Sequence, residues 1–116
     1  MLVKIDKLGN ITIGTTGRRI EHNNAQEYEK ELIEIPIGIN QALLLDLSDT
    51  EYLSSAGLRV FLLLGKKISR TGGKFGLCCI RPPVMDIIKT GGFYRIFRIY
   101  PTREDGILDI LSPEDN

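Results

Sequence analysis

The chain has one histidine, His22, and two cysteines, and each shortage closes off chemistry. A serine hydrolase would have to use His22 as its base. That residue falls in the loop before the first predicted helix, with no convergent acid–base set around it, so no enzymatic activity is expected. No G-x-S-x-G turn is present. Thr71-Gly72-Gly73-Lys74 lacks both the upstream glycine spacing and the hydroxyl after lysine that a phosphate-binding loop needs. Cys78 and Cys79 are adjacent in a predicted strand, so their side chains should point to opposite faces, badly placed for a disulfide with each other. A metal site would need further ligands, and His22 is distant in sequence. The pair reads as two reduced, buried thiols of a cytoplasmic protein, with no metal and no cofactor.

Net charge is also missing. Fifteen Lys and Arg balance fifteen Asp and Glu, which argues against direct nucleic-acid binding through a basic surface. No apolar run approaches the roughly 20 residues that span a bilayer, so no membrane association is expected. Met1 to Asp6 has no signal-peptide organisation. At 116 residues the chain fits a single domain, 1–116, with one core.

What the chain does contain is alternation between strand and helix signals. Leu2 to Leu8 alternates weakly, Gly9-Asn10 signals a turn, and Ile11 to Ile13 resumes the alternation, which reads as a hairpin. Gly17 ends the second strand. Asn23 or Asn24 can cap a helix over Ala25 to Ile35, with Tyr28, Leu32 and Ile35 on its buried side. Glu27, Lys30, Glu31 and Glu34 make its solvated side. Ala42 to Leu45 is a continuous apolar run, as in a strand covered on both faces. Lys74 to Ile80 and Phe97 to Tyr100 are later strands. Pro82-Pro83 opens a helix through Lys89, with Val84, Ile87 and Ile88 buried. Thr102 caps a last helix, and residues 112–116 should fray. The order implies an α/β fold with a mixed sheet of four to five strands, an N-terminal hairpin and about four helices packed against it.

The segment Asp46 to Gly65 organises the rest. Turn formers Asp46, Ser48, Asp49 and Thr50 break the apolar strand. Ser54 and Ser55 then stand where a helix N-cap belongs, before a helix from about Ser55 to Arg70 that Thr71-Gly72-Gly73 ends. A serine here can cap the backbone amides, or it can carry a phosphate that those amides and the helix dipole favour. Leu58, Phe61, Leu62, Gly65 and Ile68 share one face, expected to pack on the sheet. Val60 and Leu63 lie opposite, with Arg59 and Lys67. Two outward apolar residues near the Ser55 turn suggest a docking patch, unless another element covers Leu63.

With these residues in view the sequence resembles the STAS domain family, and within it the bacterial anti-sigma factor antagonists. The resemblance spans nearly the whole chain. It is carried by Thr16-Gly17 and Ile20-Glu21, by Leu45-Asp46-Leu47-Ser48, by Tyr52-Leu53-Ser54-Ser55-Ala56-Gly57-Leu58, by Gly72-Gly73, and by Thr90-Gly91-Gly92-Phe93. The Ser-Ser-Ala-Gly-Leu segment is the most specific piece. In the family the serine two residues before the glycine is phosphorylated by a kinase-type anti-sigma factor of the histidine-kinase-like ATPase fold. That position is Ser55, with Ser54 as an alternative acceptor. Two departures are visible: Ser54 stands where many members have Asp, and Glu21 replaces the usual Asp after a turn with one extra arginine.

The resemblance implies a STAS fold and a partner switch. The unphosphorylated protein would bind the anti-sigma factor and free the sigma factor for transcription. Phosphorylation would release it, and a metal-dependent serine phosphatase would reset it. The expected partner-binding residues are Glu21, Ser54, Ser55, Arg59, Val60 and Leu63. The alternative is a STAS adaptor subunit of a transport or signalling complex, in which Ser55 only caps.

Overall fold

The computed structural model describes residues 1–113. In chain order the elements are β1 (Lys4–Leu8), β2 (Ile11–Thr15), β3 (Arg19–Ile20), α1 (Ala25–Ile33), β4 (Ala42–Asp46), β5 (Tyr52–Leu53), α2 (Ser55–Arg70), β6 (Lys74–Cys78), α3 (Pro82–Thr90), β7 (Arg98–Tyr100) and α4 (Arg103–Asp109). Five strands form one mixed sheet in the order β1-β2-β4-β6-β7. The hairpin pair β1–β2 is antiparallel, and Gly9 takes φ +59° in its turn. The pairs β2–β4, β4–β6 and β6–β7 are parallel, joined through α1, α2 and α3. This is the mixed α/β architecture expected from the alternation of strand and helix signals.

The apolar run Ala42 to Leu45 is buried throughout because both faces of β4 are covered. Leu43 and Leu45 pack with α1, α2 and α3 in the larger core. Ala42 and Leu44 face the other way, into a smaller core with Ile11, Ile13, Cys78 and Ile110 beneath α4. Thr102 caps α4 as expected, its hydroxyl accepting from the Asp105 amide at 3.1 Å.

Several expectations need correction. Helix α1 ends at Ile33 rather than Ile35. Asn24 occupies its cap position without a side-chain cap bond; its Oδ1 instead accepts from the Glu21 amide at 2.8 Å. Glu31 is no mere solvated residue, since its carboxylate accepts from the Leu2 and Val3 amides and pins the N-terminal segment to α1. Strand β6 stops at Cys78, because Cys79 takes φ +60° and leaves the pleat. The two thiols therefore do not point to opposite faces: their sulfurs and the Asp46 carboxylate lie within 4.8 Å of one another. Ser112 is not frayed, as its hydroxyl donates to the Leu108 carbonyl at 2.7 Å, while residues 114–116 of the expected tail fall outside the described residues.

The buried face of α2 is Leu58, Val60, Phe61, Leu64 and Ile68, with Leu62 and Gly65 only partly covered. The expected stripe is thus rotated toward Val60 and Leu64. The cause is α1, which packs along that side of α2. The Lys67 ammonium seals the contact by donating to the Ile33 carbonyl at the end of α1.

Candidate functional site

The start of α2 is held by a structure too small to leave a sequence pattern. β3 and β5 form a two-residue parallel ladder, Arg19 opposite Tyr52 and Ile20 opposite Leu53. It sits beside the main sheet and ties the turn after β2 to the loop after β4. The Ser54 amide donates to the Ile20 carbonyl at 2.8 Å, and the Arg19 guanidinium lies over the Tyr52 ring, 4.6 Å from its centroid. Arg18 pairs with Glu51 at 3.1 Å and Arg19 with Glu21 at 2.9 Å. Beneath this surface layer Thr50 is fully buried, its hydroxyl donating to the Gly17 carbonyl and meeting the Thr16 hydroxyl, both at 2.7 Å.

Gly57 is where the helix meets the ladder. A Cβ there would stand 2.7 Å from both Ile20 Cγ2 and Leu53 Cδ1, and 3.0 Å from the Ile20 carbonyl oxygen. The glycine of Ser-Ser-Ala-Gly-Leu is therefore required by close approach, not by backbone conformation. Gly17 has a similar reason, since its amide donates to the Tyr28 hydroxyl at 2.9 Å and a Cβ would meet that oxygen.

The two serines divide the work. Ser54 is the N-cap, extended in backbone, and its hydroxyl accepts from the Gly57 amide at 3.1 Å. Ser55 is the first residue of the helix and is exposed. The expectation that Ser55 itself caps is thus corrected: residue 54 carries the extended φ/ψ that capping demands. Among the described residues the Ser55 hydroxyl has no hydrogen-bond partner. It faces solvent at the positive end of a sixteen-residue helix.

Ser55 borders a cleft of about 500 Å³ between α2 and α3. Arg59 and Leu62 continue its α2 wall, and Asp86, Ile87 and Thr90 supply the α3 wall. Of the expected partner-binding residues, the structure gathers Ser54, Ser55 and Arg59 around the helix start and puts Glu21 on the adjoining β3 side. Leu63 is 37% exposed and stays on the surface. Val60 is 3% exposed and belongs to the core, so its place in a docking patch is overturned. Sequence reasoning missed the α3 wall altogether. The apolar Ile87 at helical spacing reads equally as core, and only the observed packing leaves it partly open.

A second polar centre lies under the C-terminal ends of the parallel strands. Asp46 is buried; it accepts from the Ser48 amide at 2.9 Å and pairs with Arg103 at 2.9 Å. Burial pushes the Asp46 carboxyl up, but the Ser48 amide and hydroxyl and the Arg103 guanidinium outweigh it and hold the group below its usual value. Burial pushes both the Cys78 and the Cys79 thiols up. A carboxylate already committed to a guanidinium, beside two protonated thiols, is a structural clasp between β4 and α4 and a poor cation site.

No helix among the described residues is long and apolar enough to cross a membrane. A family model for the STAS domain matches residues 3–106. A Bordetella bronchiseptica protein provisionally named as the anti-sigma factor antagonist BtrV is 33% identical over 104 residues, covering 90% of each chain. The anti-sigma F factor antagonist of Paenibacillus polymyxa is 28% identical over 68 residues, 59% of this chain and 58% of that one. The crystal structure of an anti-sigma factor antagonist from Mycobacterium paratuberculosis has the same fold, with a TM-score of 0.81 at 23% identity over 95% of this chain and 93% of that one. The matched segment runs from the hairpin through all three helices of the larger layer and includes the Ser54–Gly57 helix start, and on that span the chain belongs to the STAS domain family, among the anti-sigma factor antagonists.

Proposed function

We propose that this chain acts in the cytoplasm as an anti-sigma factor antagonist in a partner switch set by phosphorylation of Ser55. In this reading the unmodified protein docks on a kinase-type anti-sigma factor through the start of α2. The kinase transfers the γ-phosphoryl of ATP to the Ser55 hydroxyl, and the phosphorylated protein lets go. A metal-dependent serine phosphatase hydrolyses the ester and restores binding. The observation that carries the reading is the division between the two serines. Ser54 does the capping, so the exposed Ser55 hydroxyl has no structural task. The docking surface would be Ser55, Arg59 and Leu63 of α2, flanked by Glu21 and by Asp86 and Ile87 across the cleft.

The physical logic is local. A phosphate brings about −1.5 to −2 charges at neutral pH. At the first position of a helix it meets the favourable end of the dipole, worth a few tenths to about 1 kcal/mol, so the fold tolerates it. A partner surface packed against that spot does not. Incubation with the kinase and ATP should add one phosphate by intact mass, mapped by phosphopeptide analysis to Ser55. Ser55→Asp should be at least as stable as Ser55→Ala yet bind the anti-sigma factor far more weakly in titration calorimetry. Phosphate on Ser54, Ser48 or Thr50, or equal binding by the two variants, would overturn the switch.

A further inference from the structure

A second and larger cleft, of about 620 Å³, lies farther along α2, between its C-terminal half and the connector from α3 to β7. Its volume falls in the range of small-molecule sites. Phe75, Phe93 and Phe97 supply aromatic walls, and Phe97 meets Phe75 edge-on with ring centroids 6.3 Å apart. Ile96 at its mouth is 64% exposed. Among the described residues the charge on its rim is of one sign: Lys66 and Arg70 stand one turn apart on α2, Lys74 and Arg98 complete the rim, and none of the described lining residues is acidic. In a chain of zero net charge this is a local concentration of cations.

Part of that charge has a structural account. Arg70 lies in the last turn of α2, where the dipole favours cations. Lys74 and Arg98 have interactions of their own. Lys66 has none: it precedes the last turn, is exposed, and makes no ion pair or side-chain hydrogen bond among the described residues. A floor of one buried and two half-buried rings, with Lys66 and Arg70 above it, suits one ligand chemistry, a flat aromatic body carrying an acid group. The rings offer offset or edge-on stacking, and the two α2 cations meet the acid at the rim.

We propose that this cleft binds a small aromatic anion, its ring system against Phe75, Phe93 and Phe97 and its acid group held by Lys66 and Arg70. Ser55 does not line this cleft, although Leu62 and Phe93 border both it and the α2–α3 cleft, and the proposal does not rest on the partner switch.

The test uses the full chain and two dyes of similar ring body. 8-Anilinonaphthalene-1-sulfonate carries the acid group, and N-phenyl-1-naphthylamine lacks it. The sulfonate should bind saturably at one site. Amide shift changes in proton–nitrogen correlation spectra should cluster on residues 66–75 and 93–98. The double variant Lys66→Gln/Arg70→Gln changes only exposed side chains and, with the dipole contribution of Arg70 lost, should lower the thermal midpoint by no more than about 4 °C. It should weaken the sulfonate at least tenfold while changing the neutral dye less than twofold. Laurate, an anion without rings, should compete at least tenfold more weakly than the sulfonate. Non-saturable binding, shifts centred elsewhere, equal loss of both dyes in the double variant, or laurate competing as well as the sulfonate would each overturn the proposal.

Discussion

Gly57→Ala and Gly65→Ala make the same chemical change in the same helix and should act with opposite signs. In an exposed helix position the change from glycine to alanine stabilises by up to about 1 kcal/mol through the unfolded chain. At Gly65 the new methyl would meet only the edge of the Phe75 ring, at 3.4 Å, an ordinary contact. Stability there should rise by up to about 1 kcal/mol. At Gly57 the methyl would lie 2.7 Å from Ile20 Cγ2, which sits on a branched β-carbon and cannot swing away. It would also lie 3.0 Å from the Ile20 carbonyl, which accepts from the Ser54 amide and cannot retreat without losing that bond. Overpacking costs about 1–3 kcal/mol and a strained hydrogen bond about 1 more. Set against the helix gain, the net loss is about 1–3 kcal/mol. For a chain of this size that is a drop of roughly 4–12 °C in the thermal midpoint. Urea unfolding of the two variants beside wild type decides the matter. If Gly57→Ala is as stable as wild type, the helix start does not rest on the β3–β5 ladder as described, and the reasoning fails.

Ser54→Ala should cost about 1 kcal/mol through loss of the cap on the Gly57 amide, whereas Ser55→Ala should stay within about 0.5 kcal/mol of wild type; denaturant melts compare them. Leu63→Asp should leave the thermal midpoint nearly unchanged, while Val60→Asp puts a charge in the core and should cost about 3 kcal/mol or more, read from the same melts. Asp46→Asn should cost about 2 kcal/mol at neutral pH, less than the 3–5 of a fully buried pair because Arg103 keeps a third of its side chain in water. Since the Asp46 carboxyl is held below its usual value in the fold, its contribution is complete above the unfolded value near 3.9 and fades as pH falls through the folded value. The gap between variant and wild type should therefore begin to narrow near pH 4 and close as the pH falls through the folded value.

The parts of the fold legible in the sequence are those set by local rules. The Gly9-Asn10 turn, the doubly covered run at Ala42, the limits of α2 at Ser55 and Arg70, and the Thr102 cap all follow from neighbours in the chain. The misreadings share a different cause. Whether Val60 faces solvent depends on where α1 lands, which no periodicity within α2 records. Two adjacent hydroxyls, Ser54 and Ser55, fit a cap equally well until the backbone assigns the extended conformation to the first. The bend at Cys79 is a departure from strand geometry by a residue with no special tendency to it. The β3–β5 ladder has two residues a side, fewer than an alternation needs to become visible.

That ladder explains why a modification at Ser55 should act on a partner rather than on the fold. The start of α2 is fixed from three directions: by the Ser54 amide on Ile20, by the Ser54 hydroxyl on Gly57, and by Gly57 lodged against Ile20 and Leu53. None of these contacts involves the Ser55 hydroxyl. A helix start held by its own cap and by main-chain bonds has little to gain or lose when the next residue acquires charge. The nearest cation on the same helix face is Arg59, one turn on and bordering the same cleft, so part of the added charge can be balanced within the protein. What would change is the surface potential at the rim of the α2–α3 cleft, which a partner docking there, as proposed, would meet. Capping by Ser54 is thus what leaves the Ser55 hydroxyl without a structural task, and under the proposed switch replacing Ser54 would disturb the fold and the signal together.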